Sequence, residues 1–445
     1  MRIIAVLSGA FLSATICVTN RAFAAGVVGT GTPTSCTEAV LDAALAGGGA
    51  VTFNCGPSPV TIPVTHQTTL KKKTSIDGGG LVTLGGSTAG VFEVRGKTTL
   101  SNLAFSDNIA SAGTAKSGTP GGGALRNFST LVVTNCAFSR NSAGTAQFVL
   151  GGAIENIRTL TVSNSRFEEN AAGSGSSVGN GGAIYNGGTL TLSNSTFSNN
   201  AASGSSGGFV SVGGAIGNLR TLTVANSTFV GNTVGAGSTD GLGGAIYNHG
   251  TLTLSSSTFS ANAAAGLGGA IENARTLTLS NSTFSGNDAA AGGAIENIGG
   301  KTIVTNCTFS ADSAAVGSEI SNDRCTSGCG KGGTTLRNTI VSNGSGGNCA
   351  GIPITNGGNN LDSSGLCGLG PATDSMLDPA GPAMNGGPTQ TIALEPASPA
   401  IDAGNEAVCA AKPIANLDQR GFRRPGAAAT NCSIGAYEFN APGPP

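Results

Sequence analysis

The chain has 445 residues, with 22 Lys+Arg against 23 Asp+Glu and a formal net charge of −1. Charged residues make up 10%, far below the roughly 25% of an ordinary globular chain, and no basic excess is present to neutralise phosphates, which excludes electrostatic nucleic-acid binding. Gly, at 73 residues, has no three-residue period, so collagen is excluded, and 39% hydrophobic residues are too many for a disordered chain.

From the N-terminus, Met1-Arg2 and the mostly apolar Ile3 to Val18 lead to Ala22-Phe23-Ala24, the pattern of a signal peptide occupying residues 1–24. The apolar stretch is too interrupted for a membrane span, and no later segment has 18 consecutive apolar residues. An exported protein without a transmembrane anchor is expected, secreted or held at the cell surface or outer membrane. Residues 25–95 are expected to hold a cap and the first coils. Thr37 to Ala46 has helical apolar spacing and Val51-Thr52-Phe53 reads as strand, so a helix is expected to cover the open sheet edge.

Residues 96–345 are repetitive. Gly-Gly-Ala-(Ile/Leu) ends at Leu125, Ile154, Ile184, Ile216, Ile246, Ile271 and Ile295. Phe-x-x-Asn begins at Phe105, Phe138, Phe167, Phe197, Phe229, Phe259 and Phe284, and a further copy at Phe309 ends in Asp312. From the Ile or Leu to the next Phe is 13 residues in six repeats and 14 in the last, whereas the return from Phe varies between 11 and 20. Constant length on one stretch and insertions at one place define a stacked coil with an external loop. The alternation in Thr159-Leu160-Thr161-Val162 and its equivalents reads as strand, with Leu and Val inward. The fold class predicted is all-β: a right-handed parallel β-helix with an N-terminal helical cap and a small C-terminal capping domain. Asn recurs three times per coil and is expected to form three corners, where it tolerates left-handed backbone and bonds the Asn above. The same corner role accounts for the sequons at Asn194 and Asn281 without sugar.

The alternating Gly-Gly-Ala-Ile and Phe-x-x-Asn motifs resemble the repeats of chlamydial polymorphic outer membrane proteins, which implies a surface β-helix with an adhesive role. The resemblance does not extend to the translocating barrel of that family, and none is expected. Residues 346–445 differ in composition and carry, in order, Asn359-Asn360-Leu361, Asn385-Gly386-Gly387-Pro388-Thr389, Ser398-Pro399-Ala400-Ile401-Asp402-Ala403-Gly404, Asp418-Gln419-Arg420-Gly421 and Ile434-Gly435-Ala436-Tyr437-Glu438. This series resembles the choice-of-anchor Q domain of secreted bacterial β-helix proteins. With no sortase motif or hydrophobic tail after it, release or retention by a partner is expected.

Cysteine usage suits an oxidising compartment. Four local pairs are expected, Cys36 with Cys55, Cys325 with Cys329, Cys349 with Cys367 and Cys409 with Cys432. Cys136 and Cys307 replace the Ser of an Asn-Ser-Thr-Phe segment and are expected to be unpaired. Cys325 and Cys329 lack a second ligand pair for zinc, and no metal or other cofactor is expected.

Chemistry is sparse. Paired Asp motifs and a Gly-His-Gly segment are absent, and the two histidines, His66 and His249, sit near the cap and at a coil corner. Asp402, Asp418, Arg420 and Glu438 are expected to be structural. Glu272 and Glu296 hold the same position on consecutive coils, about 5 Å apart if stacked, a spacing retaining glycosidases use. Glu155 holds that position earlier and Tyr185 and Tyr247 share it, so solvated acids on a generic exposed site are expected. The other feature is a pair of exposed Thr columns: Thr159, Thr189, Thr221, Thr251 and Thr276, beside Thr161, Thr191, Thr223, Thr253 and Thr278. They resemble the surface of ice-binding β-solenoids. The expected function is a non-catalytic structural or adhesive rod whose candidate partners are a polysaccharide or a cell-surface component, with specificity in the loops after Phe138, Phe167, Phe197 and Phe229. The alternatives are a polysaccharide lyase or glycoside hydrolase using Glu272 and Glu296, and ice binding.

Overall fold

The computed structural model describes residues 26–444 apart from 111–119, 145, 176, 207, 236–239 and 324–331. The expected signal peptide and the expected Cys325–Cys329 bridge lie outside the described residues.

The chain forms a parallel β-solenoid. An 11-stranded sheet, from Thr68–Leu70 to Cys349–Gly351, holds the strands that follow each Gly-Gly-Ala, every one paired in parallel with its neighbours. A 23-stranded sheet holds the five-residue Thr-x-Thr strands and the three-residue Phe strands, with Leu190 beside Leu222 and Phe197 beside Phe229. Antiparallel pairing among the described residues is local, as where Ser205–Ser206 meets Phe209–Val212. The constant 13-residue stretch has a physical cause. A slip of one residue would turn the apolar set of each strand to the outside, so no insertion is tolerated there. The 14-residue copy takes up its extra residue at Gly299, whose φ of 66° sits between the strands Ile295–Ile298 and Lys301–Thr305.

The core is a set of columns. Leu160, Ile184, Phe197 and Leu222 are fully buried. The Phe rings from Phe105 to Phe309 stack face to face, with centroids 4.6–4.9 Å apart. The second Gly of each Gly-Gly-Ala is required by close approach, since a Cβ on Gly182 or Gly214 would fall on the carbonyl oxygen of the equivalent Gly one coil on.

The Asn corners are of two kinds, which corrects the expectation of three alike. Asn135, Asn164, Asn194, Asn226, Asn281 and Asn306 do take left-handed backbone, with φ of 44–53°. The other two Asn of each coil are buried and form ladders. Asn127 to Asn297, and Asn108 to Asn262, each donate Nδ2–H to Oδ1 of the Asn in the next coil at 2.7–2.9 Å. In the Phe-x-x-Asn motif the left-handed residue is the one before the Asn, such as Asn199 or Gly231.

Both ends are covered. The helix Glu38–Leu45, N-capped by Thr37, buries Leu41 and Leu45 on the first strands, and Cys36 is bridged to Cys55 beside it. At the far end Ile354, Leu369 and the Cys349–Cys367 bridge close the core. The segment that follows does not sit on the end of the rod. It folds back along the side, where Gln390, Leu417, Gln419 and Ala436 bond Thr258, Asn281, Thr283 and Thr308 and bury the outward face of the last Phe strands. Cys409–Cys432 ties this layer.

Cys136 and Cys307 are free and buried. Burial pushes their thiols up to about 11 and about 12. Alkylation of the native protein near pH 8 is therefore expected to modify neither, and both after unfolding. Rapid labelling of native Cys307 would show that the coils open.

Candidate functional site

The outward face of the 11-stranded sheet carries one column: Arg126, Glu155, Tyr185, Gly217, Tyr247, Glu272, Glu296 and Ser321, each beside the next. The expected solvated acids are not solvated. Glu155 is 4% exposed, Glu272 2% and Glu296 0%. The cause lies in the variable segments. Before re-entering Gly-Gly-Ala several make a short strand, such as Val178–Asn180, Phe209–Val212 or Gly241–Leu242, and these stack into a second wall that single bridges at Leu267 and Ala291 continue. The wall stands against the column: a Cβ on Gly217 would collide with Asn180 Oδ1, and one on Gly121 would meet Glu155 Oε2 at 2.6 Å. The two surfaces form a crease in place of an open face.

Within the crease the acids differ in their company. Glu155 is paired with Arg126 at 2.7 Å, both side chains being buried. Glu272 has no such partner, and burial, reinforced by the charge of Glu296, pushes its carboxyl up to about 8. Burial likewise pushes Glu296 up to about 7, with Ser321 close enough to offset part of the rise and Asp323 adding to it. Glu272 Oε2, both oxygens of Glu296, Ser321 Oγ and Asn180 Oδ1 make no aligned hydrogen bond. Burial and then the Glu272 charge raise Tyr247 to about 12. A retaining glycosidase needs one ionised carboxylate and one acid, both touching substrate. Here both carboxyls are raised and sealed from solvent, so substrate contact would require the crease to open.

The Thr columns lie elsewhere, on the outward side of the five-residue strands. Thr159, Thr189, Thr221, Thr251 and Thr276 are in register, as are Thr161, Thr191, Thr223, Thr253 and Thr278. All are exposed except Thr161 and Thr278, which are half-buried. Loop aromatics add a further surface, where Phe148 and the exposed Phe209 meet edge to face at 5.2 Å.

The remaining candidates sit apart. His249 is exposed beside the Tyr247 ring, and His66 faces Glu38 and Asp42 of the cap helix at 3.0 and 3.2 Å. Asp418 pairs with Arg420 at 2.7 Å, and Glu438 pairs with Arg424, not Arg420, at 3.0 Å. Arg420 also lies on the Tyr437 ring. Asp402 takes a left-handed turn with φ of 54°. Among the described residues no group of three or more His, Cys, Asp or Glu is placed to hold a metal.

One acidic pair was not singled out by sequence reasoning. Asp312 ends the buried Asn ladder, and Glu319 replaces the Ala of Gly-Gly-Ala-Ile; the Asp312 N–H donates to Glu319 Oε1 at 3.3 Å, and both are fully buried. Burial raises both carboxyls, and their mutual repulsion keeps the proton on Glu319. The signal was visible as two departures from the repeat within one coil.

This architecture defines a parallel β-solenoid with a sealed acidic crease and an open polar face. No protein-family model matches the chain, and no curated protein matches it. A similar solved structure is the catalytic unit of a thermostable GH87 alpha-1,3-glucanase from Streptomyces thermodiastaticus strain HF3-3, at 13% identity over 78% of this chain and 71% of that chain, with a TM-score of 0.34. A likeness of that size carries no argument about activity. The resemblances to chlamydial repeats and to the choice-of-anchor Q domain rest on their motifs alone.

Proposed function

We propose that the protein is a non-catalytic rod whose Thr-rich face makes weak, repeated contacts with neutral glycans or a neighbouring surface. The observation that supports this reading is the contrast between the two faces: the paired carboxyls are sealed, while the Thr columns present hydroxyls at a regular spacing of about 4.8 Å along the rod. Repetition of a weak contact raises avidity without any single tight site. Three disulfides suit an oxidising, extracellular setting. The test is a panel of neutral and acidic polysaccharides. Retention on at least one of them is expected, with no release of reducing ends or unsaturated products. Thr191→Tyr with Thr223→Tyr should weaken retention about tenfold. Turnover that disappears in Glu296→Gln would replace this reading with the hydrolase or lyase one.

The straightness of the Thr columns supports ice binding as a second reading. Inhibition of ice recrystallisation, lost in the same double variant, would select it over glycan contact.

A further inference from the structure

We propose that Glu272, Glu296 and Ser321 form a site for one hard divalent cation, of the calcium type, in the crease outside the 11-stranded sheet. These residues hold one column position on three successive coils, with Glu272 beside Glu296 and Glu296 beside Ser321. All three are at least 98% buried. Among the described residues eight buried side-chain oxygens lack a hydrogen-bond partner, and four of them are here: Glu272 Oε2, Glu296 Oε1 and Oε2, and Ser321 Oγ.

The protein shows what a buried carboxylate needs. Glu155, in the same column, has Arg126, and Glu438 and Asp418 have Arg424 and Arg420. Leaving a buried charge unpaired costs several kcal/mol, and at these three a guanidinium offsets it, while the buried Asp312, Glu319 and Asp362 receive N–H donors instead. At Glu272 and Glu296 no described side chain supplies a guanidinium. Two carboxylates balance one divalent ion, and Ser321 adds a neutral oxygen. Asp323, at the end of the same strand, Ile320–Asp323, adds negative potential. The donor set is oxygen only, which selects calcium or a similar hard ion over zinc or copper. Four protein oxygens leave room for water in the six to eight positions calcium takes.

This proposal does not rest on the glycan reading, and its test contains no glycan. Tyr247 is the register neighbour of Glu272. The chain has 3 Tyr and no Trp, so tyrosine-sensitised terbium luminescence reports on this site with little background. Saturable luminescence displaced by calcium is expected, together with a calcium-dependent rise of a few degrees in Tm. Glu272→Gln with Glu296→Gln should abolish both while keeping the β circular dichroism signal, and Ser321→Ala should weaken calcium binding severalfold. Tyr247→Phe should remove the luminescence yet leave calorimetric calcium binding intact. The proposal is overturned if wild-type protein shows no saturable calcium binding, or if the double Gln variant binds terbium and calcium as wild type does.

Discussion

Phe229→Ala is expected to cost about 3–5 kcal/mol of stability, the largest effect of any single truncation in the rod. The ring is fully buried between Phe197 and Phe259, with centroids 4.9 and 4.6 Å away. Strand pairing on both sides holds the backbone in register, so the cavity cannot close by local collapse. A solenoid is stable through contacts between neighbouring coils, so a gap in mid-stack also weakens the coupling between its halves. Urea unfolding should show both a lower midpoint and a broader transition. Phe209→Ala is the control: this ring is 57% exposed, and its loss should change stability by no more than about 1 kcal/mol. Equal effects for the two variants would mean that the stack does not carry the fold.

The second large effect is expected at Asn232. Its side chain accepts from Asn200 N–H at 3.1 Å and Asn200 Nδ2–H at 2.9 Å. It donates to the Phe197 carbonyl at 3.0 Å and to Asn262 Oδ1 at 2.9 Å. Asn232→Ala leaves all four partners buried without it, at about 1–3 kcal/mol for each that finds no substitute, so a total near 3 kcal/mol or more is expected. Asn194→Ala, in the previous coil, removes an exposed left-handed corner residue and should cost about 1 kcal/mol. Chemical denaturation of the two variants compares the ladder with the corner. If Asn194→Ala proves the more damaging, the ladder does not hold the coils together.

The solenoid was legible because its signal is periodic. A fixed 13-residue interval between Ile184 and Phe197, repeated at Ile216 and Phe229, allows one register only, and the alternation of Thr and Leu says which side is inward. The residue type at the corners was legible too, but not the division of labour. Asn194 and Asn200 look alike in sequence, and only the path of the backbone separates a left-handed turn from a ladder rung. The acids were misread for a different reason. The wall beside that column is built from variable segments that share no motif, so nothing local to Ile-Glu-Asn announces the burial of Glu272 and Glu296. The mixture of Tyr, Gly and Glu in that column was a hint, since a solvated row has no need of Tyr185 or Tyr247. The lateral path of the C-terminal segment was hidden likewise, because nothing in the repeat sets Thr283 and Thr308, which Gln419 and Ala436 bond, apart from Thr196 or Thr228 in earlier coils.

The Asn ladders have an electrical consequence. Every rung donates toward the C-terminal coils, so the side-chain amide dipoles add head to tail along the rod, much as peptide dipoles add along an α-helix. Their positive pole falls where Asn287 offers its backbone N–H at 2.6 Å and Nδ2–H at 2.7 Å, and the group that meets them is Asp312 Oδ1. An amide there would only extend the row, whereas a carboxylate terminates it as an acidic residue does at a helix N-terminus. The rod therefore has a polarity independent of its net charge, and the one acidic residue in that column stands at the pole where an anion is favoured.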